Sequence, residues 1–278
     1  MELRKEVLCV IKAYLIDLDG TLYHGRHRIE GADQLIRTLQ ELGKPYLFVT
    51  NNSSRTPQGV ADHLNGMGIP ADASQVCTSA VAAAEYVAEE SRGAKVACIG
   101  EAGLLEAIEK AGLQLTEDVP DYVIQGIDRE FSYHKLTKAL RWINAGSKFI
   151  MTNPDLQLPS DDGLTPGAGT IGAAIEAATG VHPTVIGKPS SVIMKSAISR
   201  LNLASHEVAV IGDNMRTDIA AGVAAGCETL LVLTGVTTRD NMDGHIQAAK
   251  ARPDHVFEDL HKLMEWLSQE ADQASKKG

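Results

Sequence analysis

Two aspartates near the start of the chain, Asp17 and Asp19, have the spacing of a catalytic pair. They follow the apolar run 13–16, so if strand geometry continues both side chains leave the same face, and Gly20 lets the chain turn at once. A carboxylate can attack phosphorus, and a second acid can protonate the leaving oxygen and later activate water. Because a carboxylate and a phosphate dianion repel each other, this chemistry needs a cation such as Mg²⁺. An Asp-x-Asp-Gly turn is also common in ordinary loops, so the motif alone favours this chemistry only modestly.

Three further polar clusters follow strand-like apolar runs and supply groups that this reaction needs. They are residues 50–53, 187–189 and 212–214. Thr50 and Asn51 offer a hydroxyl and N–H donors for phosphate oxygens, and Lys188 offers a positive charge for the transferring phosphoryl group. Taken singly, such residues are also typical of helix-capping loops and of a solvated lysine.

The last cluster predicts the remainder of a metal site. Asp213 follows a wholly apolar run and can complete that site, with Asn214 beside it. Asp218, five residues further on, is placed to brace Lys188 or metal-bound waters, although an acid near a helix N-terminus is also favoured by the helix dipole. Each cluster is a weak to moderate signal alone, whereas four in this order, each after a strand, are a strong one.

The elements that position these clusters alternate between strands and helices. The strand-like apolar runs are residues 13–16, 46–49, 95–99, 122–124, 149–151, 184–186, 208–211 and 229–233, with stretches of helical spacing between them. Such strands separated by helices indicate an α/β protein with a doubly wound, Rossmann-like parallel sheet. Ligands of such sheets bind at the carboxyl ends of the strands, and the same end of one sheet could gather all four clusters.

The composition and charge of the chain limit its possible binding partners and its cellular compartment. The chain has 278 residues and a formal net charge of −10, which argues against nucleic acid or an anionic membrane as the main partner. Its four cysteines, Cys9, Cys77, Cys98 and Cys227, form no CxxC pair, which disfavours zinc and favours reduced thiols. The first apolar run, 7–16, is broken by Lys12, and no run approaches the roughly 18 apolar residues of a membrane helix. We therefore expect a soluble, cytoplasmic protein.

The motifs resemble those of the haloacid-dehalogenase-like superfamily. The matching residues are Asp17-x-Asp19-Gly20-Thr21, Thr50, Lys188 and Gly212-Asp213-x-x-x-x-Asp218. The stretch around Tyr23 and residues 50–53, 126–129, 152–155 and 187–189 are similar to the NagD-like subfamily, which includes 4-nitrophenyl phosphatases. The resemblance covers essentially the whole chain apart from the first ten or so residues and the polar tail after Ser268.

The resemblance implies a Mg²⁺-dependent phosphatase of small phosphorylated metabolites, such as sugar phosphates and nucleoside monophosphates. It implies that Asp17 is the nucleophile and Asp19 the general acid and base. Mg²⁺ would be bound by the Asp17 carboxylate, the Asp19 backbone carbonyl and Asp213. The residues that would hold the phosphoryl group are Thr50, Asn51 and Lys188.

The spacing of the motifs predicts an inserted second domain. One helix and one strand fill the interval from Asp19 to Thr50, whereas the interval from Thr50 to Lys188 is long enough for a second α/β domain. We predict a catalytic core over residues 1–79 and 183–278 and a cap over residues 80–182, whose loops close over the phosphate and select the leaving group. The candidates for specificity are Asp128, Arg129, Asn153 and Asp155. Members of the subfamily associate through the cap, so a homo-oligomer formed through it is also open.

Three alternatives compete with a phosphatase. Residues 167–172 match the dinucleotide fingerprint GxGxxG, but they follow a polar loop over 159–166 and no acid stands about 20 residues further on. We interpret them as a close-packed helix start and disfavour a nicotinamide oxidoreductase. A non-catalytic binder of phosphorylated ligands would lack Asp17 or Asp19. A phosphotransferase on the same fold is distinguished by counting the phosphate that is released.

Overall fold

The computed structural model describes residues 11–160 and 163–277, which form alternating strands and helices. The strands are β1 (Ala13–Ile16), β2 (Tyr23–His24), β3 (His27–Arg28), β4 (Tyr46–Thr50), β5 (Val76–Thr78), β6 (Lys95–Ile99), β7 (Gln114–Leu115), β8 (Tyr122–Gln125), β9 (Lys148–Met151), β10 (Gln157–Ser160), β11 (Gly163–Pro166), β12 (Thr184–Val185), β13 (Val208–Gly212), β14 (Glu228–Val232) and β15 (His255–Phe257). The helices are α1 (Ala32–Glu41), α2 (Pro57–Gly66), α3 (Ser79–Glu90), α4 (Ala102–Lys110), α5 (Tyr133–Asn144), α6 (Ala168–Thr179), α7 (Ser191–Leu201), α8 (Ala220–Ala225), α9 (Met242–Ala249) and α10 (Leu260–Lys277).

Six strands form one wholly parallel sheet in the order β15-β14-β13-β1-β4-β5. Successive residues of β1 face opposite sides, because Ala13 and Leu15 pack in one buried cluster and Tyr14 and Ile16 in another. Helices α3, α7 and α8 contribute to the first cluster, and α1, α2 and α10 contribute to the second. Both faces are covered, so the prediction of a doubly wound α/β fold is confirmed.

Local sequence signals set the helix boundaries around this sheet. Helix α1 ends just before Gly43, which has a φ of +62° in the left-handed region that favours glycine. Helix α2 begins after Thr56, whose hydroxyl accepts a hydrogen bond from the Gly59 N–H, and Pro57 occupies the first turn. Such residue types are local start and stop signals of helices, because few others meet the conformational needs of these positions.

Five strands form a second parallel sheet in the order β12-β9-β8-β6-β7. Strand β12 pairs with β9 in this sheet, although the predicted boundary at residue 183 assigns it to the core. Lys188 therefore follows a strand of the second sheet, whereas the other three polar clusters follow strands of the first. The expectation that the end of one sheet gathers all four clusters is wrong, because sequence spacing does not report which sheet a two-residue strand joins.

The two sheets share one hydrophobic core. A single buried cluster contains Leu15 and Val210 from the six-stranded sheet and Val96 and Ile124 from the five-stranded sheet. Helices α3, α4 and α7 add side chains to the same cluster, which is continuous from one sheet to the other. The other face of the five-stranded sheet packs against α5 and α6.

The GxGxxG segment starts helix α6 after an antiparallel hairpin. Strands β10 and β11 pair across residues 157–160 and 163–166, so most of the segment predicted as a polar loop is a hairpin, and residues 161–162 lie outside the described residues. A Cβ atom on Gly167 or Gly169 would overlap the carbonyl oxygens of Asp155 or Pro154. The interpretation as a close-packed helix start is confirmed, and β11 belongs to neither parallel sheet.

Helix length and hydropathy bear on the membrane prediction. Within residues 11–160 and 163–277, no helix combines the length and the apolar character needed to cross a membrane. Part of the apolar run 7–16 lies outside the described residues, and so does Cys9.

Candidate active site

Three neighbouring strands bring their polar clusters to one edge of the six-stranded sheet. Asp17 directly follows β1, Thr50 ends β4 and Asp213 directly follows β13, and β1 lies between the other two strands. The three residues line a cavity of about 580 Å³ together with Asp19 and Lys188. The carboxyl ends of parallel strands meet at one edge, which is why residues far apart in the chain face a common cavity.

Lys188 reaches this cavity from the five-stranded sheet. Its ammonium group donates hydrogen bonds to a carboxylate oxygen of Asp17, to Asp218 Oδ1 at 2.7 Å and to the Val49 carbonyl at 3.1 Å. The side chain is buried at 3% exposure. Burial alone would lower the pKa of Lys188, but Asp17 and Asp218 raise it above the ordinary value, so the residue is a fixed positive charge.

Buried carboxylates outnumber the lysine at this edge. Oxygens of Asp17, Asp213 and Asp218 all lie within 4.8 Å of one another. Burial raises the pKa of Asp213, and the neighbouring Asp218 and Asp17 raise it further. Three acids beside one ammonium group leave an excess of negative charge, and hard oxygen donors in such a set suit a divalent cation. The residues present therefore fit a metal ion of this kind.

Backbone geometry brings the metal-site acid close to the first motif. Gly20 has a φ of +89°, and a Cβ atom there would lie 2.5 Å from the carboxylate of Asp213. The Val236 N–H donates to Asp213 Oδ2 at 2.6 Å, and the Thr21 hydroxyl lies 3.3 Å from Asp213 Oδ1 and 3.2 Å from Asp17 Oδ2. Glycine at position 20 thus serves both the turn and the close approach of a second carboxylate.

Asp218 braces the lysine. One of its oxygens accepts from Lys188, and the other accepts from the Asn214 N–H at 3.0 Å. The Asn214 side chain in turn accepts from the Arg216 N–H at 2.9 Å. These bonds use both carboxylate oxygens of Asp218, as expected for a residue that positions Lys188.

Asp19 differs from the other acids because its side chain is exposed to the cavity. Partial removal from water raises its pKa, as does the negative charge of Asp17, while His24 and a backbone N–H of Gly25 act in the opposite direction. A carboxyl group with a raised pKa holds a proton more readily, which is the property that a general acid needs.

The Asn51 side chain links the two sheets. Its amide group donates to Asp155 Oδ2 and to the Lys188 carbonyl, both at 3.0 Å, and its carbonyl accepts from the Lys188 N–H at 2.8 Å. These bonds hold the backbone of Lys188 on the end of β4. The sequence predicts Asn51 as a donor to phosphate, but it contains no signal for this role.

Three of the four specificity candidates line the cavity, namely Arg129, Asn153 and Asp155. Asp128 does not, and its buried carboxylate is paired with Lys135 at 2.6 Å. Residues 235–236, which were not predicted as site residues, also line the cavity from the loop after β14. They follow an apolar strand, so the rule that found the other clusters could have found them.

Comparisons with known proteins identify the class of enzyme. The chain matches the haloacid dehalogenase-like hydrolase family over residues 14–114 and a HAD-hydrolase-like family over residues 185–263. It is 45% identical over 256 residues to 5'-nucleotidase YutF of Bacillus subtilis, which covers 92% of this chain and 97% of that protein. It is 43% identical over 254 residues to an acid sugar phosphatase of Staphylococcus aureus, with 91% and 96% covered. A p-nitrophenyl phosphatase from Archaeoglobus fulgidus has a TM-score of 0.87 at 40% identity, covering 92% of this chain and 99% of that one.

The extent of these matches settles the family. The chain belongs to the haloacid dehalogenase-like hydrolase family, and it is a phosphatase of that family.

Proposed function

We propose that this phosphatase hydrolyses phosphate monoesters with Mg²⁺ through a covalent phosphoryl group on Asp17. The observation that carries the proposal is the position of the Asp17 carboxylate, which lines the cavity between the buried ammonium group of Lys188 and the carboxylate of Asp213. A phosphoryl group in front of Asp17 would have its negative charge balanced by Lys188 on one side and by a cation held at Asp213 on the other.

In the first step, an oxygen of Asp17 attacks phosphorus while the bond from phosphorus to the leaving oxygen breaks. Asp19 donates its proton to that oxygen, so the alcohol leaves neutral. Lys188 and the Thr50 hydroxyl hold the phosphoryl oxygens. The Thr50 oxygen accepts from the Asn52 N–H at 3.2 Å, a bond that does not use the hydroxyl proton.

In the second step, Asp19, now a carboxylate, takes a proton from a water molecule. The water oxygen bonds to phosphorus, the bond from phosphorus to Asp17 breaks, and inorganic phosphate and free Asp17 result. The bound proton returns Asp19 to its starting state. One residue thus serves as acid and then as base, for which its exposed position in the cavity is suited.

The metal would be held by the Asp17 carboxylate, the Asp213 carboxylate and the Asp19 backbone carbonyl. When bound, Mg²⁺ supplies positive charge that screens the repulsion between the Asp17 carboxylate and the phosphate dianion. We assign Asp218 to bracing the lysine, because one of its oxygens accepts a hydrogen bond from the Lys188 ammonium group at 2.7 Å.

The substrate class is small phosphorylated metabolites. The names of the relatives support it, since they include a 5'-nucleotidase, an acid sugar phosphatase and a p-nitrophenyl phosphatase. We infer sugar phosphates and nucleoside monophosphates as natural substrates and 4-nitrophenyl phosphate as a substrate in vitro. Association of two copies through residues 80–182 and a cytoplasmic location stay predictions.

The first test is phosphate release from 4-nitrophenyl phosphate with Mg²⁺, with EDTA, and with Asp17→Asn. We expect turnover that EDTA abolishes and Mg²⁺ restores, and a loss on the order of 10³-fold or more in Asp17→Asn, the scale seen when a nucleophile is removed. The exposed Asp243→Asn is the matched control and should keep the wild-type rate. Asp19→Asn, quenched in acid during turnover, should carry one phosphoryl group on Asp17 by mass spectrometry.

The alternatives give different outcomes. A phospho-ligand binder would bind 4-nitrophenyl phosphate without releasing phosphate. A phosphotransferase would release nitrophenol in excess over inorganic phosphate when a sugar acceptor is present. We expect the wild type to release nitrophenol and phosphate in equal amounts. We also expect the double variant Asp19→Asn/Asp17→Asn to lack the mass shift, because it has no carboxylate at position 17 to carry the phosphoryl group.

A further inference from the structure

A second cavity, of about 720 Å³, adjoins the catalytic one and is lined by three arginines, Arg26, Arg55 and Arg129. They come from separate segments: Arg26 from the turn between β2 and β3, Arg55 from the loop between β4 and α2, and Arg129 from the loop after β8. The formal net charge of the chain is −10, so three arginines at one cavity oppose the overall balance. Asp62 is the acid that lines this cavity, and it accepts from the Gln58 amide at 2.8 Å.

The two cavities are contiguous. Arg129 lines both of them. Tyr23 lines the catalytic cavity and His63 lines the second, and their rings meet edge to face with centroids 5.2 Å apart. This aromatic pair therefore lies at the junction of the two cavities. A ligand of modest length could occupy both cavities at once.

Arg55 is the arginine with its charge still available. Among the residues that the structure describes, no carboxylate pairs with its guanidinium, whereas Arg129 is paired with Glu101 at 2.6 Å. The backbone N–H of Arg55 donates to Asn52 Oδ1 at 2.8 Å, which fixes the base of the side chain. Burial lowers the pKa of His63, and Arg55 and Arg26 lower it further, against a backbone hydrogen bond at Gly25 that raises it, so the neutral form of this histidine is favoured.

We propose that this cavity binds a second anionic group, a carboxylate or a phosphate, of the same substrate whose phosphoryl group Asp17 removes. The inference rests on the proposed function and adds a substrate class to it, namely phosphate monoesters that carry another anion several bonds away. A guanidinium group offers a planar pair of N–H donors that matches both oxyanions. Contacts to a part of the substrate that does not react provide binding energy that orients the part that does.

The test is competition against 4-nitrophenyl phosphate, which carries no second anion. Two matched pairs serve as probes: 6-phosphogluconate with glucose 6-phosphate, and fructose 1,6-bisphosphate with fructose 6-phosphate. In the wild type we expect the member with the extra anion to compete roughly tenfold or more better, the effect of one or two charge-assisted hydrogen bonds. This advantage should vanish in Arg55→Gln and persist in part in Arg55→Lys, which keeps the charge but loses the planar pair of donors.

The controls separate binding from folding. Arg92→Gln removes an exposed arginine outside both cavities and should retain the full advantage. Arg55→Gln should keep the wild-type kcat and KM for 4-nitrophenyl phosphate, which shows that the variant is folded. An equal advantage in Arg55→Gln and wild type, or none in the wild type, overturns the proposal.

Two further outcomes are distinguishable. If gluconate alone changes the turnover of 4-nitrophenyl phosphate in the wild type but not in Arg55→Gln, the cavity holds a separate anion, and the proposal of a single substrate is overturned. If the wild type does not hydrolyse 4-nitrophenyl phosphate with Mg²⁺, the proposed function itself fails. If the wild type hydrolyses 4-nitrophenyl phosphate but shows no Arg55-dependent preference for the probes with the extra anion, only the inference about the second cavity is overturned.

Discussion

The two parallel sheets are built from the same alternation of strand and helix, but they bring different charged groups to the active site. Four of the acids at the cavity follow strands of the six-stranded sheet; they are Asp17, Asp19, Asp213 and Asp218. A fifth, Asp155, follows β9 of the five-stranded sheet. The lysine that neutralises part of this charge, Lys188, follows β12 of the five-stranded sheet. The active site is therefore assembled across the two sheets, with four of its acids following strands of one sheet and its buried lysine following a strand of the other.

The comparison also bears on how the halves are coupled. Residues 80–182 were predicted as an inserted cap, yet the five-stranded sheet buries one face in the same hydrophobic cluster as the six-stranded sheet. Asn51 at the end of β4 further holds the backbone of Lys188 and the carboxylate of Asp155. A continuous core and partly buried hydrogen bonds across the junction favour one cooperative unit over two independent ones.

Substitution of Lys188 is expected to have the largest effect on activity among these tests. Lys188→Met deletes the positive charge supplied by the second sheet, and we expect kcat/KM for 4-nitrophenyl phosphate to fall on the order of 10²–10³-fold, as when one donor to a developing charge is lost. Lys195→Met, an exposed lysine on α7, is the control and should keep the rate. The buried acids left unpaired should also destabilise the protein by about 3–5 kcal/mol, measured by urea unfolding.

A double variant shows whether activity is lost because the positive charge of Lys188 is missing or because the protein is less stable. Lys188→Met/Asp218→Asn removes one negative charge with the positive one, so it should regain much of the lost stability while staying inactive. Recovery of activity in the double variant would contradict the assignment of Lys188 to the phosphoryl group.

Loss of the Asn51 side chain tests how the two sheets are joined at the active site, because this residue follows β4 of one sheet and bonds Lys188 and Asp155, which follow strands of the other. We expect Asn51→Ala to lower kcat/KM by roughly 10- to 100-fold, since hydrogen bonds that hold Lys188 and Asp155 are removed and each is worth about 1 kcal/mol. Asn144→Ala, an exposed asparagine at the end of α5, is the control. If Asn51 acts through Lys188, the losses of kcat/KM in Asn51→Ala and Lys188→Met will not add in a double-mutant cycle. Additive losses would contradict this positioning role.

Coincident unfolding of the two halves tests the shared core. Trp142 on α5 reports the five-stranded half and Trp266 on α10 the six-stranded half, so Trp266→Phe and Trp142→Phe each leave one reporter. We expect the same urea midpoint from both. Leu104→Ala, a buried truncation in the shared cluster, should shift both transitions equally, by about 2–5 kcal/mol. Separate midpoints would show that residues 80–182 unfold as an independent cap.

Thiol reactivity gives the smallest and most local readout. Burial raises the pKa of Cys77 on β5 to about 11 and that of Cys98 on β6 to about 12. A raised pKa keeps each thiol protonated at pH 8, so the native protein should react slowly with alkylating reagents and faster only as the pH rises towards those values. In a Cys9→Ser/Cys227→Ser background, which leaves only Cys77 and Cys98, both thiols should become reactive at one urea concentration. Reaction of Cys98 alone at low urea would indicate local opening of the five-stranded half.

Much of the fold was predictable because its signals are local. The apolar runs that form β1, β4, β6, β8, β9 and β13 are buried on both faces and therefore read as continuous hydrophobic stretches. Turn and cap positions such as Gly43 and Thr56 have conformational requirements that few residue types meet. The short strands β10 and β11 were missed, because a short hairpin with polar, proline and glycine residues resembles a loop in the sequence.

The sequence by itself determined the class of chemistry and the order of its motifs. Asp17, Asp19 and Asp213 could be placed at strand ends because the edge of a parallel sheet follows from hydrophobic pattern alone. Only the tertiary structure decided that Lys188 arrives from the other sheet, that Asn51 holds it there, and that Arg55 faces a second cavity. These features depend on pairings between residues that are distant in the chain, and the burial and hydrogen bonding that select such pairings leave no periodic trace in the residues themselves.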